Sequence, residues 1–111
     1  MSKKYKVRIA ESGKRDIQEK KKYIIRHFKY REYAENFSQK IKEAIERLDM
    51  FPKGYETTGF HYRGYDIYLK PQSNHLIFYT VNDETDTVTV LRVLQDGMDW
   101  EYIIECWINR K

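Results

Sequence analysis

The sequence predicts an α+β fold of order β-α-α-β-β-β-α. A helical hairpin packs on a curved, mainly antiparallel four-stranded sheet, and a short C-terminal helix completes it. Three observations carry that expectation. Two stretches between Ile17 and Leu48 place apolar residues three and four apart, the spacing of one helix face. Four short stretches, at residues 5–10, 65–70, 75–81 and 87–94, are rich in β-branched and aromatic residues and either alternate or run apolar. Two helices with a short join make an antiparallel hairpin, and laying it on one face of the sheet is the economical way to bury both. A length of 111 residues holds one domain, spanning 1–111, with one modest core.

The first strand is Tyr5–Ala10, with Tyr5, Val7 and Ile9 on one side. Ser12-Gly13 breaks it, and Ser12 is the expected cap of the first helix, because its oxygen can accept an exposed backbone N–H. Ile17, Ile24, Ile25 and Phe28 share a helix face through about Arg31, with Lys20, Lys21 and Lys22 largely off it. Arg31-Glu32-Tyr33 reads as the connection. The second helix carries Ala34, Phe37, Ile41, Ala44 and Leu48, with Ile45 beside them. It stops near Met50-Phe51, since Pro52 lacks an N–H and clashes with the preceding turn. Residues 53–64, with Gly54, Gly59 and Gly64, read as a loop.

Tyr65–Lys70 alternates and ends at Pro71, and His75–Val81 is nearly all apolar or aromatic. Thr87–Leu94 is apolar on both sides, as an interior strand covered on both faces should be. Asn82–Asp86 is the turn between the last two strands. Trp100, Ile103, Ile104, Trp107 and Ile108 recur at helical spacing.

The formal net charge of +4 is unevenly spread. Residues 1–70 hold 18 Lys/Arg against 10 Asp/Glu, a balance of +8, and residues 71–111 hold 3 against 7, a balance of −4. A basic first part suits a polyanion, either nucleic acid or an acidic protein. The same composition also describes an ordinary solvated helix surface. Cys106 is the only cysteine, which rules out an internal disulfide or a thiolate metal cluster and fits a cytoplasmic protein. The segment Met-Ser-Lys-Lys-Tyr-Lys has no apolar core of signal-peptide length. No run approaches the roughly 18 apolar residues of a membrane span, so no membrane partner is expected.

There is no glycine-rich phosphate loop and no recognisable Ser/His/Asp grouping. His27, His61 and His75 are isolated, without metal-ligand spacing, so neither a metal nor a cofactor is expected. What remains is basic and aromatic. Arg92 stands inside an apolar strand, where an unpaired charge is costly, so it is either paired or used. Pairing with Asp96 or Asp99 is the structural expectation. The chemical one groups Arg92, His75 and Lys70 as candidates for metal-independent RNA cleavage, through a base, a cation on the crowded phosphate and an acid. Lys20, Lys21, Lys22, Arg63 and Tyr68 are candidates for contact with a nucleic acid or another target, since arginine forks phosphate and tyrosine stacks on bases. Each has a plain alternative in a solvated face or in packing. The Trp100–Ile108 segment either packs on its own sheet or leaves an apolar patch for a partner.

Four pieces of text carry a family resemblance: Leu48-Asp-Met-Phe-Pro52, His75-Leu-Ile-Phe-Tyr79, Val88-Thr-Val-Leu-Arg-Val-Leu94 and Met98-Asp-Trp100. With the strand order, they resemble the RelE/ParE superfamily of type II toxin–antitoxin toxins over nearly the whole chain. That family's last strand is typically an apolar run holding one arginine, then a turn and an acidic-aromatic segment. The resemblance implies a small basic growth inhibitor silenced by a cognate antitoxin. RelE-like members cleave mRNA on the ribosome, and ParE-like members inhibit DNA gyrase. The long hairpin and the Leu-Ile-Phe-Tyr strand look more like the ParE and plasmid-stabilisation branch.

Some positions depart from the nuclease pattern. RelE-like nucleases often carry an arginine on the middle strand, where this chain offers His75 and Thr80. Gln95 stands where many members have a histidine, and glutamine cannot act as acid or base at neutral pH. Near the C-terminus, Tyr102 only approximates the family's tyrosine. The expectation is therefore a toxin that binds DNA gyrase, with ribosome-dependent mRNA cleavage as the alternative and an inactive relic acting as a binding module as the third. The implied partner is an acidic antitoxin encoded nearby, in a hetero-oligomer, with Trp100, Ile104 and Trp107 as its expected contacts.

Overall fold

The computed structural model of the protein describes residues 4–110. Strand β1 (Lys6–Ile9) leads into α1 (Glu11–Phe28) and α2 (Arg31–Glu46), the expected hairpin. Two single 3₁₀ turns, Arg47–Asp49 and Pro52–Gly54, carry the chain to β2 (Glu56–Tyr62). Then come β3 (Tyr65–Gln72), β4 (His75–Asn82), β5 (Thr87–Gln95) and α3 (Trp100–Ile108). The sheet order is β1-β5-β4-β3-β2; β1 runs parallel to β5, and every other pair is antiparallel. Among the described residues, no helix is long and apolar enough to cross a membrane.

The sheet has five strands where the sequence pattern predicts four. The fifth is β2, inside the glycine-rich stretch read as a loop. Gly59 there has φ +88° and marks a register break against β3 between Thr57 and His61. Such a bulge leaves ladder groups unpaired, and Thr58 repairs them. Its hydroxyl donates to the Ile67 carbonyl at 2.9 Å and accepts from the Phe60 N–H at 3.1 Å. Past the bulge, Phe60 and Tyr62 share the face toward α3. Arg63-Gly64, with φ of +53° and +87°, makes the tight hairpin turn into β3.

The helix ends also differ from expectation. Ser12 does not cap α1; Ala10 occupies that position without a side-chain bond, and the helix starts at Glu11. The hairpin turns at Lys29-Tyr30, two residues before the expected connection, with Lys29 in the left-handed conformation. Helix α2 tightens into the 3₁₀ turn at Arg47, ahead of Pro52.

Two apolar layers hold the sheet between the hairpin and α3. On the hairpin side, Ile17, Ile41, Ile45 and Leu48 pack on Ile77, Tyr79, Val88, Val90 and Val93. On the other side, Ile104 packs among Ile67, Leu76, Phe78, Leu91 and Leu94. Strand β5 feeds both layers, as its two-sided apolar text predicts.

β1 is short and pairs with β5 only from Thr87 to Val90. Beyond Val90 the edge of β5 would be bare, and α1 covers it instead. The Ala10 N–H donates to the Val90 carbonyl at 2.8 Å, and the Ser12 hydroxyl donates to the Leu91 carbonyl at 2.6 Å. Gly13 permits this approach. A Cβ there would stand 3.1 Å from Ile9 Cγ2 and 3.2 Å from the Val90 carbonyl oxygen.

Candidate functional site

Arg92 sits at the far end of that covered edge. β4 and β5 slip register where Phe78 pairs with Arg92 but Tyr79 pairs with Val90, leaving Leu91 as the extra residue. The bulge lets Leu91 and Leu94 enter the α3-side core while Val90 and Val93 keep to the hairpin side. Arg92 is left at the rim where β5 meets α1. Its Nε and Nη2 donate to the Asp16 carboxylate at 2.7 and 3.0 Å, and the same carboxylate accepts the Val93 N–H at 2.9 Å. The partner is thus Asp16 on α1, in place of the expected Asp96 or Asp99. Both side chains are largely buried, at 17% and 13% exposure. A two-point guanidinium–carboxylate pair is among the stronger hydrogen-bonded contacts in proteins, and here it replaces a missing strand neighbour.

Trp107 of α3 lies beside this pair. Its ring stacks on Tyr62 at 4.8 Å, and the Arg92 guanidinium is 5.8 Å from its centroid. A cavity of about 300 Å³ on one side of it is lined by Arg8, Arg63, Tyr65 and Asn82, among others. A second cavity, of about 260 Å³, is lined by Arg15, Arg92 and Arg110 with Asp16 and Glu19. Both share Ser12 and Trp107. Five of the eight arginines therefore converge around one tryptophan, and among the described residues no lysine lines either cavity. Arginine's planar fork suits carboxylate or phosphate oxygens better than an ammonium does.

His75 opens β4 and shares a third cavity, of about 390 Å³, with Arg92, Lys20, Asp16 and Gln95. It packs against Phe37 at 4.9 Å between centroids. Burial, then the nearby Lys20 charge, pushes its pKa below the ordinary histidine value of 6.5. The ring is therefore neutral at neutral pH. Its buried Nε2 meets no hydrogen-bond partner among the described residues. Lys20 donates to the Gln95 side chain at 3.0 Å across the mouth. Arg92, His75 and Lys20 are thus brought together.

Lys70 is placed elsewhere. It is 6% exposed, and its Nζ donates at 2.8 Å to the Ala44 carbonyl near the C-terminal end of α2. Burial, then Arg47, lowers its pKa. It caps a helix from beneath, which is a structural task. Tyr68 likewise stacks on the buried Tyr79 at 5.4 Å on the hairpin side of the sheet. Lys21 faces Glu35 at 3.9 Å, and Lys22 is exposed, so the three-lysine run diverges. Arg63 lies over Tyr62 at the β2–β3 turn, 5.1 Å from the ring centroid.

The C-terminal aromatic segment packs on its own sheet. Trp100 lies against Phe60 and Phe78, and Ile104 is fully buried. Ile104 offers a partner no surface while α3 is docked; Trp100 and Trp107 are part-exposed. Among the described residues, no three His, Cys, Asp or Glu side chains converge in a way that would hold a metal ion. The residues that sequence reasoning missed are Asp16 and the arginines Arg8, Arg15 and Arg110. Asp16 carried one usable signal: it lies one position from Ile17, on the margin of the α1 apolar face.

Residues 7–100 match the family model described as the ParE toxin of the type II toxin–antitoxin system parDE. No curated protein sequence matches the chain. Among solved structures, the chain resembles one from the chromosomal ParDE system of P. aeruginosa at 12% identity and a TM-score of 0.70, covering 86% of this chain and 100% of that one. It resembles one from the RelBE2 toxin–antitoxin complex of Mycobacterium tuberculosis at 18% identity and a TM-score of 0.56, covering 86% and 94%. It also resembles one from the archaeal RelE–RelB complex of Pyrococcus horikoshii OT3 at 15% identity and a TM-score of 0.56, covering 85% and 97%.

Proposed function

Because the chain belongs to the ParE toxin family of type II toxin–antitoxin systems, we propose that it arrests growth by binding a large nucleic-acid machine, with DNA gyrase as the target. The observation that carries this reading is the two-point pairing of Arg92 with Asp16. A nuclease needs a cation free to meet the phosphate. Here that cation is already held by a carboxylate, and Lys70 is committed to α2 on the hairpin side of the sheet. The preference for gyrase over the ribosome rests on the ParE-like branch of the resemblance.

An acidic antitoxin, encoded nearby, silences the toxin in a hetero-oligomer. β1 ends the sheet, so its outer edge can template a further strand. Beside it runs a groove of about 450 Å³ with Val7, Ile9 and Ile45 in its lining and Arg8, Lys14 and Lys42 against a single Glu46. Apolar side chains of an added segment would fill the groove, and its carboxylates would meet the cations. Action in the cytoplasm follows from the same reading.

One observation favours the alternative of ribosome-dependent mRNA cleavage. His75 is held neutral in a cavity shared with Arg92, which is the protonation state of a general base. Growth assays separate the two readings. Induced expression should stop growth, and co-expression of the adjacent small reading frame should restore it. His75→Gln should arrest growth as fully as the parent, since a binding toxin uses the ring only to pack on Phe37. Lost arrest in a His75→Gln chain that still folds and binds antitoxin would move the target to the ribosome. A parent chain that never slows growth would leave only a relic that binds.

A further inference from the structure

The nine residues Ile25–Tyr33, which join α1 to α2, are all exposed. Five of the eleven large apolar side chains exposed among the described residues lie here or one turn before: Tyr23, Ile25, Phe28, Tyr30 and Tyr33. Tyr30 is 61% exposed and Phe28 53%, although both are large aromatics. A patch of that density on an otherwise well-solvated surface marks an interaction site. Arg26, Lys29 and Arg31 surround it, against one acid, Glu32.

The rings are not arranged as a stacking ladder. Tyr33 meets Tyr30 edge to face at 5.4 Å and Phe28 at 6.1 Å. Each ring presses its edge or face on another, making a compact knob with no open slot for a base. The backbone beneath is fixed, with the Lys29 N–H donating to the Ile25 carbonyl at 2.9 Å and the Tyr33 N–H to the Tyr30 carbonyl at 3.3 Å. A preformed aromatic knob loses little entropy on docking. Tyrosine and arginine are also the residue types that dominate the energetic centres of protein interfaces. Two copies of the chain meeting here would oppose three cations to three.

We propose that this hairpin tip is the target-docking surface of the toxin, separate from the antitoxin groove. It fits a protein surface that offers an apolar pocket ringed by carboxylates. The proposal rests on the growth-inhibitor reading above. The test is a chain carrying Phe28→Ser, Tyr30→Ser and Tyr33→Ser, all exposed positions, beside a second carrying Arg26→Glu, Lys29→Glu and Arg31→Glu. Both should keep the parent's circular dichroism and capture purified antitoxin with unchanged affinity. Both should need at least tenfold more expressed toxin than the parent to stop growth. Arrest at the parental dose by both variants would discard the tip and leave the toxin reading standing. A parent that arrests nothing would discard both. Antitoxin capture lost together with arrest would make the tip an antitoxin surface instead. Binding of a labelled single-stranded 20-mer that the parent shows and the variants lose would make the occupant nucleic acid. A parental dimer that the variants dissociate, read by light scattering, would make it a second copy. Each of these three results overturns the proposal.

Discussion

Replacing Asp16 with alanine should cost about 3 kcal/mol of stability, lowering the thermal midpoint by roughly 10 °C. The carboxylate accepts three bonds, two from Arg92 and one from the Val93 N–H. Its removal takes the two-point partner from a guanidinium at 17% exposure and the side-chain acceptor from a strand N–H. Losing one partner of a buried pair costs about 3–5 kcal/mol, and partial exposure puts this case toward the low end. Asp16→Asn keeps an acceptor oxygen but loses the charge, so it should cost about half as much. Adding Arg92→Met to Asp16→Ala should recover part of the loss, because the orphaned charge goes with it. Urea denaturation midpoints of the four chains measure this. A change below about 0.5 kcal/mol in Asp16→Ala would mean that α1 does not hold β5 in solution.

Ile104→Ala should cost about 3 kcal/mol, within the roughly 2–5 kcal/mol range for emptying an apolar core site. Ile104 is the one fully buried residue of α3, set among Ile67, Leu76, Phe78, Leu91 and Leu94. Trp100 and Trp107 anchor the two ends of the same short helix. They are also the only two tryptophans, so fluorescence reports α3 and circular dichroism reports the whole fold. In the parent the two unfolding curves should coincide. In Ile104→Ala the fluorescence change should come first, because α3 has lost its central anchor and can leave the sheet before the hairpin layer melts. Coincident curves with an unchanged midpoint would contradict the anchoring role.

The parts of the fold that were legible in the sequence are those governed by local period. The α1 face as far as Ile24, the α2 face, the two-sided β5 and the helical Trp100–Ile108 segment follow from spacing alone, whereas Ile25 and Phe28, read onto the same α1 face, are exposed. β2 was not legible, because its bulge at Gly59 and its exposed edge remove the alternation that identifies a strand. Only Phe60 and Tyr62 hinted at it. At the site, Arg92 was conspicuous as a charge in an apolar run. Its partner was not, since Asp16 lies 76 residues away and becomes its neighbour only because β1 stops short. The nearer acids Asp96 and Asp99 were the natural candidates without that fact. Lys70 read as a possible catalytic cation because sequence does not show that the end of α2 passes over it. The convergence of Arg8, Arg15, Arg63 and Arg110 on Trp107 comes from four separate elements and leaves no local pattern.

On the proposed reading this toxin works by binding, with Arg92 spent on holding β5 to α1. Purified toxin should be titrated into a gyrase supercoiling reaction and, in parallel, into a translation reaction whose mRNA ends are mapped by primer extension. Supercoiling should fall with toxin dose while the mRNA stays intact. New mRNA ends within translated codons, with supercoiling unaffected, would contradict that reading.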